Sequence, residues 1–356
     1  MQSIWKSSAR LADGREIIYF DEAPGSGRAQ VPDTRPLGPR TPGPALPTGR
    51  HEWGTRWDPL AGEWVVIAAA RQDRTFLPPP DQCPLDPSRP GHPTEIPASG
   101  YDVVVFENRF PSLAEPLGRC EVVCFTSAHD SSFAALPPRR VRTVLEAWTD
   151  RTEALSALPG TRQVYCFENR GEEIGVTLHH PHGQIYAFPF VSPRLAQMVA
   201  QADAYARTHN GRSLFDDLVA AEVTAGTRVV TRNEHWIVFV PQAARWPYEV
   251  RIFPVARVPD LPALSEQARD AFGPLYLDVL RRFDALFGVP APYIAAWHQT
   301  PLDDPADRDR FAAHLQVLSV RRAAGKLKYL AGTESGMGVW INDIVPEEAA
   351  QRLREA

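Results

Sequence analysis

The chain has little that would tie it to a membrane, to nucleic acid or to an oxidising compartment. No apolar run approaches the ~20 residues of a membrane-spanning helix, and residues 1–10 lack the apolar centre of a secretion signal. Cysteine is scarce, four in 356 residues, too few for a disulfide framework in a chain of this size. Basic charge is not in excess either: 38 Lys and Arg stand against 43 Asp and Glu, a formal net charge of −5. Bulk electrostatics therefore gives no hold on nucleic acid or on an acidic membrane surface. These absences read as a cytoplasmic protein, in which any phosphorylated ligand needs a local cluster of Arg and Lys. A hydrophobic fraction of 44% can fill one large core or two of about 150 residues.

Proline, by contrast, is abundant in one place. Residues 24–50 hold seven Pro and five Gly in 27 positions, which no continuous helix or sheet tolerates, so the segment reads as a surface-lying or mobile arm. Ahead of it, residues 14–20 look like a short strand, and at 56–67 a turn feeds an apolar strand.

Beyond the arm the chain runs through one unit twice. The first copy has a strand at 121–125, a helix from about 138 to 158, a strand at 163–167 and then a run of histidines. Apolar residues at 141, 144, 145, 148, 155 and 158 give that helix one buried face. The second copy has a strand at 249–253, a helix across 264–287 with a kink at Pro274, and a strand around Tyr293. Glu-Val-x-x-Phe starts both copies, and both Glu121 to Tyr165 and Glu249 to Tyr293 span 44 residues. A duplicated α+β unit with antiparallel strands follows. In that match His180 and His182 correspond to His314 and Gln316, so only the first copy keeps a full histidine run and chemical competence.

The run is His179-His180-Pro181-His182-Gly183-Gln184. Histidines two apart on a strand share a face, so one ring can act while its neighbour is anchored. Histidine is largely neutral near pH 7 and can attack phosphorus without a strong base. Pro181 stiffens the presentation, Gly183 admits a bulky phosphate, and Gln184 offers amide donors on the face of His182. A metal-bound or simply buried histidine pair is the alternative reading.

With Phe167-Glu-Asn-Arg-Gly171, Asn233-Glu-His-Trp236, Glu249-Val-Arg-Ile-Phe-Pro254 and Lys328-Tyr-Leu-Ala-Gly-Thr-Glu334, the run resembles the galactose-1-phosphate uridylyltransferases, a branch of the histidine-triad superfamily. The resemblance covers about residue 56 to the end. It implies an α+β fold, a duplicated histidine-triad-like unit with an antiparallel sheet and packed helices. The implied division is an N-terminal strand and arm at 1–55, a first half carrying the motif at 56–192, and a second half with a C-terminal segment at 193–356.

It also implies a ping-pong reaction in which His182 takes uridylyl from UDP-glucose and passes it to galactose 1-phosphate, with Gln184 binding the transferred group. Asn169 and Thr177, with Arg71 and Arg74, would lie near the phosphates, and Asn108 and Phe110 would line the uridine pocket. Lys328 and Glu334 would reach the sugar in a partner subunit, which implies a homodimer. Read alone, Arg71 and Arg74 are more often a solvated loop pair and Asn108 more often a turn residue. The family's structural zinc would fall on Cys83, Asp86, His129 and His180, with His92 a spare candidate. Of the family's second, iron-type site His298 and His314 remain, while its other positions fall near Met198 and Gln316, so that site is expected to be empty. A phosphorylase of the same superfamily, with inorganic phosphate attacking the adduct, is the rival enzyme; a non-catalytic nucleotide- or zinc-binding protein is the rival of another class.

Overall fold

The computed structural model describes residues 4–24, 53–73 and 76–356; the arm expected over 24–50 lies, residue 24 apart, outside them. The chain divides into two compact units, Met1–Cys166 with Thr177–Ser192, and Phe167–Val176 with Pro193–Ala356.

In the first unit β1 (Trp5–Arg10), β2 (Glu16–Asp21), β5 (Val103–Glu107), β6 (Arg119–Cys124), β8 (His182–Phe188) and the start of β7 (Gln163–Arg170) form a sheet in the order β1-β2-β5-β6-β8-β7. β3 (Trp53–Asp58) and β4 (Glu63–Ala68) make a separate hairpin. α1 (Pro138–Ser156) covers one face of the sheet, burying Val141, Val144, Leu145, Trp148 and Leu155 as its apolar spacing demands. Its Arg151 donates two hydrogen bonds of 2.9 Å to the buried Glu121 carboxylate, and Arg119 adds a third at 2.7 Å.

That buried ion pair fixes the pleat. Glu121 and its partner Ile185 face α1, so Val122 with Gln184, and Cys124 with His182, face the other way. The second face is covered by the loop after β4, whose Cys83, Leu85, Ile96, Ala98 and Tyr101 pack on Ile17, Tyr19, Val104, Phe106, Val122 and Cys124.

The second unit holds the end of β7, α2 (Pro193–Thr208), α3 (Leu214–Ala225), β9 (Val229–Arg232), β10 (Trp236–Phe239), β11 (Tyr248–Pro254), α4 (Glu266–Ala285), β12 (Tyr293–His298), α5 (Asp307–Arg310), β13 (His314–Ser319), the hairpin of β14 (Arg321–Ala323) and β15 (Lys326–Leu327), α6 (Gly332–Met337) and α7 (Pro346–Glu355). Its strands run in the order β7-β12-β13-β11-β10-β9. α4 is capped by Ser265, whose side chain accepts from the Ala268 N–H, and it contains Pro274 as expected. Trp236 donates its indole N–H to the Ala268 carbonyl at 2.7 Å, which places Trp236 and its partner Pro254 on the α4 side. No described helix is long and apolar enough to cross a membrane.

The duplication is explicit in the topology: β5-β6-β8-β7 and β10-β11-β13-β12 repeat one order, each with a helix between its second and third strands along the chain. The residue match at Glu-Val-x-x-Phe is corrected, however. Glu121 faces α1, whereas Glu249, odd-numbered against Trp236's partner Pro254, faces away from α4. Phe125 meets Trp148 of α1 at 5.9 Å, while Phe253 stacks on His314 at 4.5 Å on the opposite side. A one-residue slip inverts every side chain of a strand, so equal spacing concealed opposite faces. His314 and Gln316 do share a face with Glu249, away from α4, as His182 and Gln184 lie away from α1.

Gly118 has φ +146°, and a Cβ there would lie 2.5 Å from the Ala187 carbonyl oxygen. Gly118→Ala should cost about 2 kcal/mol or more, because strain and a backbone clash add. Gly62→Ala, at φ +69° in open space, should cost only about 1 kcal/mol. Equal losses in urea unfolding would show that the close approach is not what Gly118 serves.

Candidate active site and metal cluster

Cys83, Asp86, His129 and His180 converge, one ligand atom from each lying within 4.8 Å of the others. The Asp86 N–H donates to the Cys83 carbonyl at 3.3 Å, closing the knuckle suggested by the two-residue spacing. The Asp86 carboxylate sits 2.9 Å from Nδ1 of His129 and 3.0 Å from Nδ1 of His180. The far side of the buried His180 ring is held by the Thr126 carbonyl at 2.8 Å and by the Tyr101 hydroxyl at 2.8 Å, which donates to Leu85. With Nε2–H given to a carbonyl, Nδ1 is the lone-pair nitrogen, as a metal ligand requires. Thiol, carboxylate and two imidazoles form a donor set that suits a metal ion. His92 does not join them.

His180 also sets its neighbour. β8 begins only at His182, so His180 and Pro181 precede the strand instead of lying on it. The Phe125 N–H, donating to Pro181 at 3.2 Å, pins that segment to the end of β6. Nδ1 of the partly buried His182 donates to the His180 carbonyl at 2.7 Å, so Nε2 carries the lone pair. Burial, foremost, lowers the pKa of the His182 ring, and the nearby His180 acts in the same direction. The hydrogen bond to the His180 carbonyl opposes this, and the net shift favours the neutral ring.

Two residues further on the same face, Gln184 accepts from the Tyr186 hydroxyl at 3.0 Å. Tyr186 in turn accepts from Arg71 at 3.0 Å and lies 3.2 Å from the Ser112 hydroxyl, which Arg71 also contacts. With its oxygen accepting from Tyr186, Gln184 has its amide N–H groups to offer as donors. Burial raises the Tyr186 pKa, keeping the hydroxyl a donor. Tyr186 and Ser112 escaped the sequence reading. The period-two series His182, Gln184, Tyr186 was the available signal.

Arg74 lies outside the described residues. Asn108 closes a turn by accepting from the Phe110 N–H at 2.8 Å, and Arg109 lies 5.7 Å over the Phe110 ring. Thr177 is partly buried and accepts at its carbonyl from the Leu77 N–H at 2.9 Å. In the second unit, Asn169 is partly buried on β7, opposite Ile294. Lys328 and Glu334 pair with each other at 2.9 Å, and Lys328, with Thr333, draws the Glu334 carboxyl down to about 2.

Also in the second unit, the rings of His298 and His314 stack 5.0 Å apart. His298 donates to Gln316 at 3.2 Å, and Gln316 donates to Glu249 at 2.6 Å. Burial, first, pushes His298 down to about 3 and His314 well below the usual range. Both stay neutral when folded, whereas an unfolded chain protonates them near pH 6.5. Stability should therefore fall as pH drops below about 6.5 towards the folded value, since the unfolded state then binds more protons. His298→Gln should flatten this acid limb of Tm against pH; an unchanged limb would assign it to other groups.

Residues 112–192 match the family model for the galactose-1-phosphate uridyl transferase N-terminal domain, and 198–356 that for its C-terminal domain. A galactose-1-phosphate uridylyltransferase of Streptomyces lividans is 50% identical over 364 residues, covering 98% of this chain and 97% of the relative. One from Thermotoga maritima is 35% identical, covering 84% and 97%. A solved uridylyltransferase structure, 29% identical, matches with a TM-score of 0.74 over 85% of this chain and 97% of its own. With both halves matched and a relative this similar along nearly its whole length, the chain belongs to the galactose-1-phosphate uridylyltransferase family.

Proposed function

We propose that the chain exchanges uridylyl between UDP-glucose and galactose 1-phosphate, holding it in transit on Nε2 of His182. The observation that carries this is the 2.7 Å hydrogen bond from Nδ1 to the His180 carbonyl, which commits one ring nitrogen and leaves the other as nucleophile. The Nε2 lone pair attacks the α-phosphorus of UDP-glucose, a P–N bond forms, and the bond to the bridging oxygen breaks with its electrons leaving on glucose 1-phosphate. The imidazolium so formed keeps its Nδ1–H on the carbonyl. A phosphate oxygen of galactose 1-phosphate then attacks the same phosphorus, and the P–N electrons return to Nε2. Neutrality matters because no proton has to leave the ring first. Gln184 donates to the transferred phosphoryl oxygens, and Arg71 with Tyr186 holds its amide in that orientation.

The remaining assignments belong to the same reading. Arg74, Asn169 and Thr177 approach the phosphates, and Asn108 and Phe110 the uridine. Lys328 and Glu334 serve the sugar in a homodimer. The protein is cytoplasmic, with 1–55 an N-terminal strand and Pro/Gly-rich arm, and 56–192 and 193–356 its two halves. Cys83, Asp86, His129 and His180 would hold zinc, which bound there fixes the His180 ring and with it the carbonyl that aims His182. The second, iron-type site, reduced to His298 and His314 of the family's ligands, is expected to hold no metal. The transferase names of the relatives support a sugar phosphate over inorganic phosphate as acceptor.

Incubation with UDP-glucose labelled at the α-phosphorus should leave acid-labile, base-stable label on the denatured chain, absent from His182→Asn. Label that persists in that variant would falsify the assignment. Gln184→Ala should slow both half-reactions by roughly 10²-fold. Tyr186→Phe should slow them less, about tenfold, while leaving the pH profile in place; unaltered rates would remove Tyr186 as a positioning residue. His129→Ala should lose zinc and thermal stability together. A zinc-free wild type ends that part of the proposal.

A further inference from the structure

The N-terminal strands β1 and β2 carry none of the groups assigned to the transfer, yet the turn joining them delivers a guanidinium to the edge of the site. The Leu11 N–H donates to the Arg15 carbonyl at 2.8 Å and closes that turn. Asp13 accepts from the Arg15 backbone N–H at 3.2 Å and from its Nε at 2.7 Å, which orients the side chain. Arg15 is thereby laid against the loop that covers the sheet opposite α1, and little of its side chain stays exposed.

The two terminal nitrogens reach separate places. Nη1 donates to the carbonyl of Glu107, the last residue of β5, at 2.9 Å, and Nη2 donates to the Glu95 carboxylate. The other Glu95 oxygen accepts from Arg109 at 3.3 Å, and the Glu95 N–H donates to the Pro84 carbonyl at 3.0 Å. The residues on either side of Asn108 are therefore fastened through one guanidinium, directly at Glu107 and by way of Glu95 at Arg109. Only a planar fork with several N–H donors spans these acceptors, whereas a lysine offers a single nitrogen.

The turn so fastened adjoins the transfer site. The Asn108 N–H donates to the Cys120 carbonyl at 2.9 Å, and Cys120 pairs across the sheet with Tyr186, the residue that holds Gln184. Ser112, just beyond Phe110, lies 3.2 Å from the Tyr186 hydroxyl. With its side-chain oxygen accepting from the Phe110 N–H, Asn108 has its amide N–H groups to offer. Uracil presents a carbonyl oxygen to such donors where adenine presents an amino group. We infer that Arg15 is a positioning residue for nucleoside recognition, holding the Asn108–Phe110 turn in the shape that selects uracil; this rests on the uridine contacts proposed for that turn.

Calorimetric titration of the full chain with UDP and with ADP tests this without relying on turnover. Wild type should prefer UDP. Arg15→Ala should weaken UDP about tenfold, the cost of re-ordering a loosened turn on binding, and ADP much less, because the phosphates hold it. Adding Glu95→Ala to Arg15→Ala should change little, since both break one link. Should Arg15→Ala fail to fold, Glu95→Gln, which keeps an acceptor but loses the charge, should narrow the same ratio by a smaller factor. Equal weakening of UDP and ADP in the variants would mark a purely structural role and overturn the proposal. A ratio unchanged in Arg15→Ala but lost in Asn108→Ala also overturns it, and leaves the uridine assignment standing. A ratio unchanged in both, or no preference for UDP in wild type, removes that assignment and the proposal with it.

Discussion

The first unit's chemistry hangs on His180, whose two ends do different work. Its ring, buried against Thr126 and Tyr101, presents Nδ1 to Asp86 and the metal cluster. Its carbonyl accepts from Nδ1 of His182. A residue held at both ends couples the cluster of Cys83, Asp86 and His129 to the orientation of the His182 ring. Tautomer and aim are thus settled by one hydrogen bond before any substrate arrives.

That arrangement needs a sheet with two differently occupied faces. On one, the Glu121, Arg119 and Arg151 cluster docks α1. On the other, the loop carrying Cys83 and Asp86 covers Val122 and Cys124. The same pleat that buries Ile185 under the helix turns His182, Gln184 and Tyr186 to the opposite side. Side-chain alternation, with no further device, separates the packing face from the reactive one.

The second unit reuses the frame with different contents. Its outward face bears His314, Gln316, Glu249 and Arg251, bound into a neutral histidine network and bordered by α2 and α3 instead of a metal-binding loop. Of the two copies only the first keeps the full His-Pro-His-Gly-Gln run, while the imidazoles of the second are too deeply buried to carry charge.

By itself the sequence determined the buried stripe of α1, the repeated unit and the Cys83–Asp86 spacing, because hydrophobic periodicity and short ligand spacing are local, while His129 and His180 joined that donor set only through the family resemblance. It also singled out His182 and Gln184, since their spacing puts them on one strand face. What only the tertiary structure decided was which face each copy's glutamate occupies, where strand β8 begins, and that Tyr186, Ser112 and Arg71 form a chain behind Gln184. Those outcomes depend on pairing register and on contacts between residues as far apart as Arg71 and Tyr186. A one-residue slip in register costs nothing in the linear pattern yet reverses every side chain in space.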